Sequence, residues 1–156
     1  LSLTALQATE LKMAKNTVTQ KIMGYNGIVT TQLDVSGFIN GQKAGLTCMS
    51  NTFNSVGIEK NDGKLYLFFD GQNAQKETIA LKGKTIYLRQ EIDAPGKKVH
   101  SFYSLDNKTY TSIGVDCPIK WGDWKGSRIG LFNYNTLSTG GLAQFNFLHY
   151  EFDGKK

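Results

Sequence analysis

The residues best suited to chemistry in this chain lie in one short stretch. Pro118-Ile119-Lys120-Trp121-Gly122-Asp123-Trp124-Lys125-Gly126 holds both tryptophans, interleaved with an acid, lysines and glycines. An indole face can stack on the apolar face of a sugar ring, and Asp123 and its neighbouring lysines can bond the ring hydroxyls. The stretch is too polar for a core strand, so it reads as a loop. It can serve three ends: stacking on a sugar, contact with another domain, since aromatics are enriched in buried interface cores, or folding back onto its own scaffold. Trp121, Asp123 and Trp124, with Tyr134 beyond them, are the candidates for ligand or interdomain contact.

Catalysis by this chain finds less support. Glu91-Ile92-Asp93 puts two carboxylates on one face of a strand, the minimum for a glycosidase acid and nucleophile, because alternate strand residues point the same way. A third acid on the same strand would complete that pattern, but Ala94-Pro95-Gly96 ends the strand instead. Glu151-x-Asp153 stops at Gly154 and two lysines in the same way. There is no Gly-x-Ser-x-Gly elbow and no phosphate-binding glycine loop. A Ser-His-Asp triad can be assembled only by free choice among many residues. No catalytic residue, cofactor or metal site is assigned: two histidines, His100 and His149, are few for a metal centre, and Cys48 and Cys117 lack zinc spacing. Cys48, inside the largely apolar run Ala44–Met49, reads as a buried free thiol, with a Cys48–Cys117 bridge as the alternative.

The scaffold beneath these residues is written in a period of two. Thr85–Ile92 places Ile86, Leu88 and Ile92 on one face and Tyr87, Arg89 and Glu91 on the other, the pattern of a half-buried antiparallel strand. Similar runs are Thr17–Met23, Ile28–Val35, Ala44–Ser50, Ser55–Lys60, Lys64–Phe69, Glu77–Leu81, Lys97–Ser104, Thr109–Gly114, Arg128–Tyr134 and Ala143–Phe152. Turn residues such as Asn61-Asp62-Gly63 and Asp106-Asn107 separate them. About eleven short strands at this spacing predict an all-β, antiparallel two-sheet sandwich. Ala5–Lys15 is weakly patterned and reads as loop or a short turn. In the last strand alternation breaks, which predicts either a bulge near 147–148 or cover on both faces.

Length and composition bound the rest. A chain of 156 residues with 9 Phe, 7 Tyr and 2 Trp can build its own core and is not a disordered segment. No internal repeat or linker divides it, so residues 1–156 read as a single domain. No run approaches eighteen apolar residues, so no membrane partner is called for. The net charge of +5 comes from scattered lysines with only Arg89 and Arg128 beside them; Lys97-Lys98 and Lys155-Lys156 are the densest pairs. That is a solvated surface and not a nucleic-acid patch. The chain opens on Leu1, without a leader, which fits an excised or processed piece.

Several segments, in order, resemble one family. Asn16-Thr17-Val18-Thr19-Gln20-Lys21, Ala44-Gly45-Leu46, the hairpin Phe102–Tyr110, the strand Trp124–Phe132 and the ending Ala143–Tyr150 resemble motifs of the C-terminal, concanavalin A-like sandwich domains of family 43 glycoside hydrolases. These belong to the β-xylosidase and α-L-arabinofuranosidase group, and the likeness runs from about Leu3 to Phe152. Asn107 departs from the hairpin's usual glycine, and Asn146 and Leu148 depart from an Asp and a Phe, which argues against a carboxylate-bound calcium. The resemblance implies a concanavalin A-like jelly roll that is accessory to a five-bladed catalytic β-propeller preceding it. The propeller would supply the acids for inverting hydrolysis of xylan- or arabinan-type glycans, in a periplasmic or extracellular parent. In some members a sandwich loop reaches the rim of the active-site pocket, and Trp121–Lys125 is the candidate here.

Three roles follow, each with its own mark. An accessory domain should expose a sizeable apolar patch. A carbohydrate-binding module should expose coplanar aromatics, with Trp121, Trp124 and Tyr134 foremost. An independent hydrolase needs two carboxylates about 5 to 9 Å apart in a cleft.

Overall fold

The computed structural model describes residues 1–71, 77–120 and 126–154. In chain order the strands are β1 (Ser2–Thr4), β2 (Leu6–Gln7), β3 (Thr17–Lys21), β4 (Asn26–Asp34), β5 (Gln42–Met49), β6 (Phe53–Asn61) and β7 (Lys64–Gly71). They continue as β8 (Glu77–Ala80), β9 (Thr85–Asp93), β10 (Lys98–Ser104), β11 (Thr111–Pro118), β12 (Arg128–Asn135) and β13 (Leu142–Phe152). One sheet has the order β1-β13-β4-β9-β10-β11; the other has β2-β12-β5-β6-β7-β8, with β3 also laid against β12. The ladders are antiparallel apart from the short β2–β12 pairing.

The two-sheet sandwich follows from the alternation. Ile86, Leu88 and Ile92 of β9 point inward and are buried, as their spacing predicts, and they meet Leu46, Val56, Ile58, Leu67 and Phe69 from the facing sheet. Gln90 sits in the same inward row and is fully buried. Its Nε2 donates to Asn54 Oδ1 at 2.8 Å and to Ser101 Oγ at 3.3 Å, and Ser101 Oγ donates to Asn54 Oδ1 at 2.9 Å. A polar bridge thus ties the two sheets where an apolar residue would only pack. A second bridge runs from Gln42 Nε2 to Asn133 Oδ1 at 3.0 Å and from Asn133 Nδ2 to the Leu3 carbonyl at 2.6 Å. Cys48 and Cys117 are both free and buried, which decides against the bridge; burial, with Cys117 nearby, pushes the Cys48 thiol up to about 12.

Two departures from the sequence reading have local causes, and one expectation about β13 is met. Ala5–Lys15, read as loop or a short turn, does hold a 3-10 turn at Leu11–Met13 but also the short strand β2, and β1 lies just ahead of it. Ala8 and Leu11 from it cover Phe68, Phe132 and Tyr134 on the outer face of the second sheet, a core that strict alternation does not reveal. The β11 run does not end at Gly114. The ladder steps from Val99↔Cys117 to Ser101↔Ile113, so β11 bulges opposite His100 and then resumes to Pro118. In β13 the register steps between Phe145↔Leu33 and Leu148↔Thr31, the bulge expected near 147–148, and Thr31 Oγ1 donates to the Phe147 carbonyl at 2.6 Å across it.

Candidate functional site

The residues that flank Trp121–Lys125 in the sequence lie at one end of the sandwich. Ser50 Oγ and Ser127 Oγ donate to the Lys120 carbonyl at 2.6 and 3.0 Å, and the Ile119 amide donates to the Lys97 carbonyl at 2.7 Å. Trp121, Asp123 and Trp124 themselves lie outside the described residues. Tyr134 is placed, and it corrects the expectation of an exposed ring. It is 6% exposed, 6.0 Å from the Phe132 ring and packed under Ala8 and Leu11. Burial raises its hydroxyl above the ordinary tyrosine value.

The same end carries residues the sequence reading did not single out. Met23, Tyr25 and Phe152 are exposed there, Tyr25 by 69%. Tyr150 links them: its ring lies 5.1 Å from Phe152, while its hydroxyl accepts the Met23 amide at 2.9 Å and donates to the Met23 carbonyl at 2.8 Å. Asp153 fixes the turn that presents Tyr25. Its Oδ1 accepts the amides of Tyr25 and Asn26 at 2.7 and 2.6 Å, and its Oδ2 accepts Asn26 Nδ2 at 2.7 Å. These bonds, the Asn26 amide first, hold the Asp153 carboxyl below its ordinary value. Gly24 is left-handed, at φ +74°, and a Cβ there would collide with the Asp153 carbonyl oxygen. The signal available in the sequence was an aromatic, Tyr25, set between turn residues Gly24 and Asn26, with nothing apolar beside it in the turn to bury it.

The outer face of the first sheet is different in kind. A hollow of about 620 Å³ is lined by Ile28, Thr30, Arg89, Phe147, His149 and Glu151, and Asn107 of the β10–β11 hairpin overhangs it. The Arg89 guanidinium lies 3.5 Å from the Tyr110 ring centre, and the Tyr110 hydroxyl donates to Asn107 Oδ1 at 2.6 Å. That hairpin is held by Asp106, whose carboxylate accepts the amides of Lys108 and Thr109 and is lowered to about 2 by those bonds. A neighbouring hollow of about 450 Å³ shares Ile28 and reaches Glu91, Asp93, Lys98, His100 and Asp116.

One Ser, His and Asp do come together in that second region. His100 Nδ1 lies 2.7 Å from Asp116 Oδ1, His100 Nε2 lies 2.5 Å from Ser112 Oγ, and Lys98 Nζ lies 3.3 Å from Asp116 Oδ2. His100 and then Lys98 hold the Asp116 carboxyl below its usual range. With Asp116 and Ser112 open to water, the array braces the β11 bulge against β10. Asp93 is also engaged locally, its Oδ1 accepting the Gly96 amide at 2.7 Å as the strand end turns. Among the described residues no group of three His, Cys, Asp or Glu side chains is placed to hold a metal ion.

The family model of the beta-xylosidase C-terminal concanavalin A-like domain matches residues 1–151. This chain belongs to that family. The beta-xylosidase of Formosa agariphila is 31% identical over 147 residues, covering 92% of this chain and 24% of its own length. A bifunctional GH43-CE protein of Bacteroides eggerthii superposes with a TM-score of 0.90 at 30% identity, over 99% of this chain and 21% of that one. A GH43 protein of Bacillus licheniformis, at 18% identity and TM-score 0.76 over 96% of this chain and 32% of that one, shares the fold. The chain thus spans about a quarter of the length of the curated relatives it matches.

Proposed function

We propose that residues 1–156 act as one accessory sandwich of a xylan- or arabinan-degrading glycoside hydrolase, packing on a catalytic β-propeller of the same polypeptide and shaping the rim of its pocket. The observation that carries this reading is the apolar group Met23, Tyr25 and Phe152 at the end from which the Trp121–Lys125 loop departs. Exposed rings held rigidly by Tyr150 and Asp153 are costly in water and suited to a partner surface. Trp121–Lys125, read from the sequence as a loop, follows Lys120 at that end and is the proposed contribution to the pocket rim. The test is hydrolysis of aryl β-xyloside and aryl α-L-arabinofuranoside by the full-length protein with and without Trp121→Ala and Trp124→Ala. A changed KM with the fold intact supports the pocket role; unchanged kinetics with both sugars refutes it.

A second reading, a glycan site of the domain's own, is favoured by the hollow over β4, β9 and β13. There Phe147 and the Arg89–Tyr110 stack meet His149 and Glu151, a mix of flat and hydrogen-bonding groups that suits a sugar. Affinity electrophoresis of the 156-residue chain in xylan, arabinoxylan and arabinan decides it: retardation that Arg89→Ala abolishes supports this site, and free migration in all three removes it.

A further inference from the structure

β13 is the longest strand, with eleven residues, yet its side away from β4 is only partly covered. Ser2, Leu3 and Thr4 pair there with Gln144, Ala143 and Leu142. The ladder continues to the first residue: the Leu1 amino nitrogen donates to the Phe145 carbonyl at 2.8 Å, and the Phe145 amide donates to the Leu1 carbonyl at 2.8 Å. From Asn146 to Phe152, about 20 Å of strand, no described strand lies against that side. The uncovered stretch is apolar as well as open, with Phe147 37%, Leu148 40% and Phe152 46% exposed. An unpaired apolar edge of this length is a site for strand addition that folded proteins ordinarily cover.

Direction and shape both indicate what covers it. β1 is antiparallel to β13, so extended chain ahead of Leu1 runs along β13 toward Phe152. A groove of about 240 Å³ lies on that line, between β13 and the edge strand β3, lined by Leu1, Val18, Leu131, Phe145, Phe147 and Leu148. Leu3 points into the core and Leu1 shares its side of the strand, so the second residue ahead of Leu1 would face this groove.

We propose that the polypeptide immediately ahead of Leu1 in the full-length protein continues β1 as an added strand on the open edge of β13, from Asn146 toward Phe152. This rests on reading the chain as the C-terminal domain of a longer polypeptide. It makes the connection between the domains a backbone ladder and not a free tether.

Hydrogen exchange tests this on three forms: the 156-residue chain, the same chain extended by ten residues of its own gene, and the full-length protein. Half of the β13 amides between Phe147 and Phe152 exchange rapidly in the first form and at least tenfold more slowly in the other two. Unchanged exchange in the extended form overturns the proposal. So does protection in the 156-residue chain that grows with protein concentration, since a second copy then takes the edge. Protection at Met23 and Tyr25 in the full-length form reports domain docking separately. Docking there without slowing along β13 sinks the added strand and leaves the accessory role standing, and slowing without docking does the reverse.

Discussion

The outer face of the first sheet and the end of the sandwich carrying Met23, Tyr25 and Phe152 are both exposed, but they treat exposure in opposite ways. On the sheet face the polar groups bond one another: Gln32 Nε2 to the Tyr87 hydroxyl at 2.8 Å, Asn146 Nδ2 to Gln32 Oε1 at 2.6 Å, and Asp116 to His100 and Lys98. A face so satisfied is stable against water and can exchange water for a hydroxylated ligand at little cost. At the end, the polar atoms of Tyr150 and Asp153 are spent on positioning the chain, and what points outward is apolar. On the proposed reading the contrast separates a mainly polar face, with Ile28 and Phe147 exposed among its bonded groups, from an end that a partner domain would cover.

The largest expected effect breaks the covered end. Tyr25→Asp with Phe152→Asp should weaken association with the proposed propeller by about thirtyfold, on the order of 1 kcal/mol for each of the two aromatics lost. The Tm of the 156-residue chain should move little, because neither ring is part of its core. Titration calorimetry and thermal melts check the two halves. Gly24→Ala should reach a similar weakening by another route, displacing the Asp153 backbone and the Tyr25 turn, and should lower the Tm as well.

Acid should act next, and with a definite sign. Asp153 and Asp106 have folded values below the ordinary carboxylate range of about 4, so their bonds contribute fully above that range and are lost as pH falls through the lowered values. For Asp106 the loss should centre at about pH 2, seen as shifts of the Lys108 and Thr109 amide resonances. Docking through Tyr25 should hold to the same acid side of pH 4, whereas a docking midpoint near pH 6 would contradict the Asp153 assignment.

Smaller effects belong to the wet face. His100→Ala should raise the Asp116 titration back toward its ordinary value, since His100 is the main cause of its depression. Association with the preceding domain should not change. Arg89→Ala should cost about 0.5–1 kcal/mol of stability through the lost Tyr110 stack and leave association with the proposed propeller unchanged. If either substitution disrupts docking as strongly as Tyr25→Asp, the division between the two surfaces is wrong.

The sandwich was legible because burial on one side of each strand imposes a period of two, and β9 shows it residue by residue. The bulge in β13 was legible for the same reason, as a broken alternation. The candidate site was much less legible. Tyr134 was named beside the two tryptophans as an exposed ring, yet Phe132 and Tyr134 line a second apolar layer under a segment whose own pattern is too weak to announce it. Tyr25 and Asp153 are 128 residues apart, and only the fold brings the carboxylate to the turn. The Ser112–His100–Asp116 array depends on the β11 bulge, which no spacing rule encodes.

Calorimetric titration of the 156-residue chain into the separately produced propeller proposed to precede it decides whether the Met23, Tyr25 and Phe152 end is a docking surface. Saturable binding that Tyr25→Asp with Phe152→Asp weakens about thirtyfold, and that Arg89→Ala leaves unchanged, is the predicted result. Absence of binding, or binding that Arg89→Ala abolishes and the double substitution spares, would contradict it.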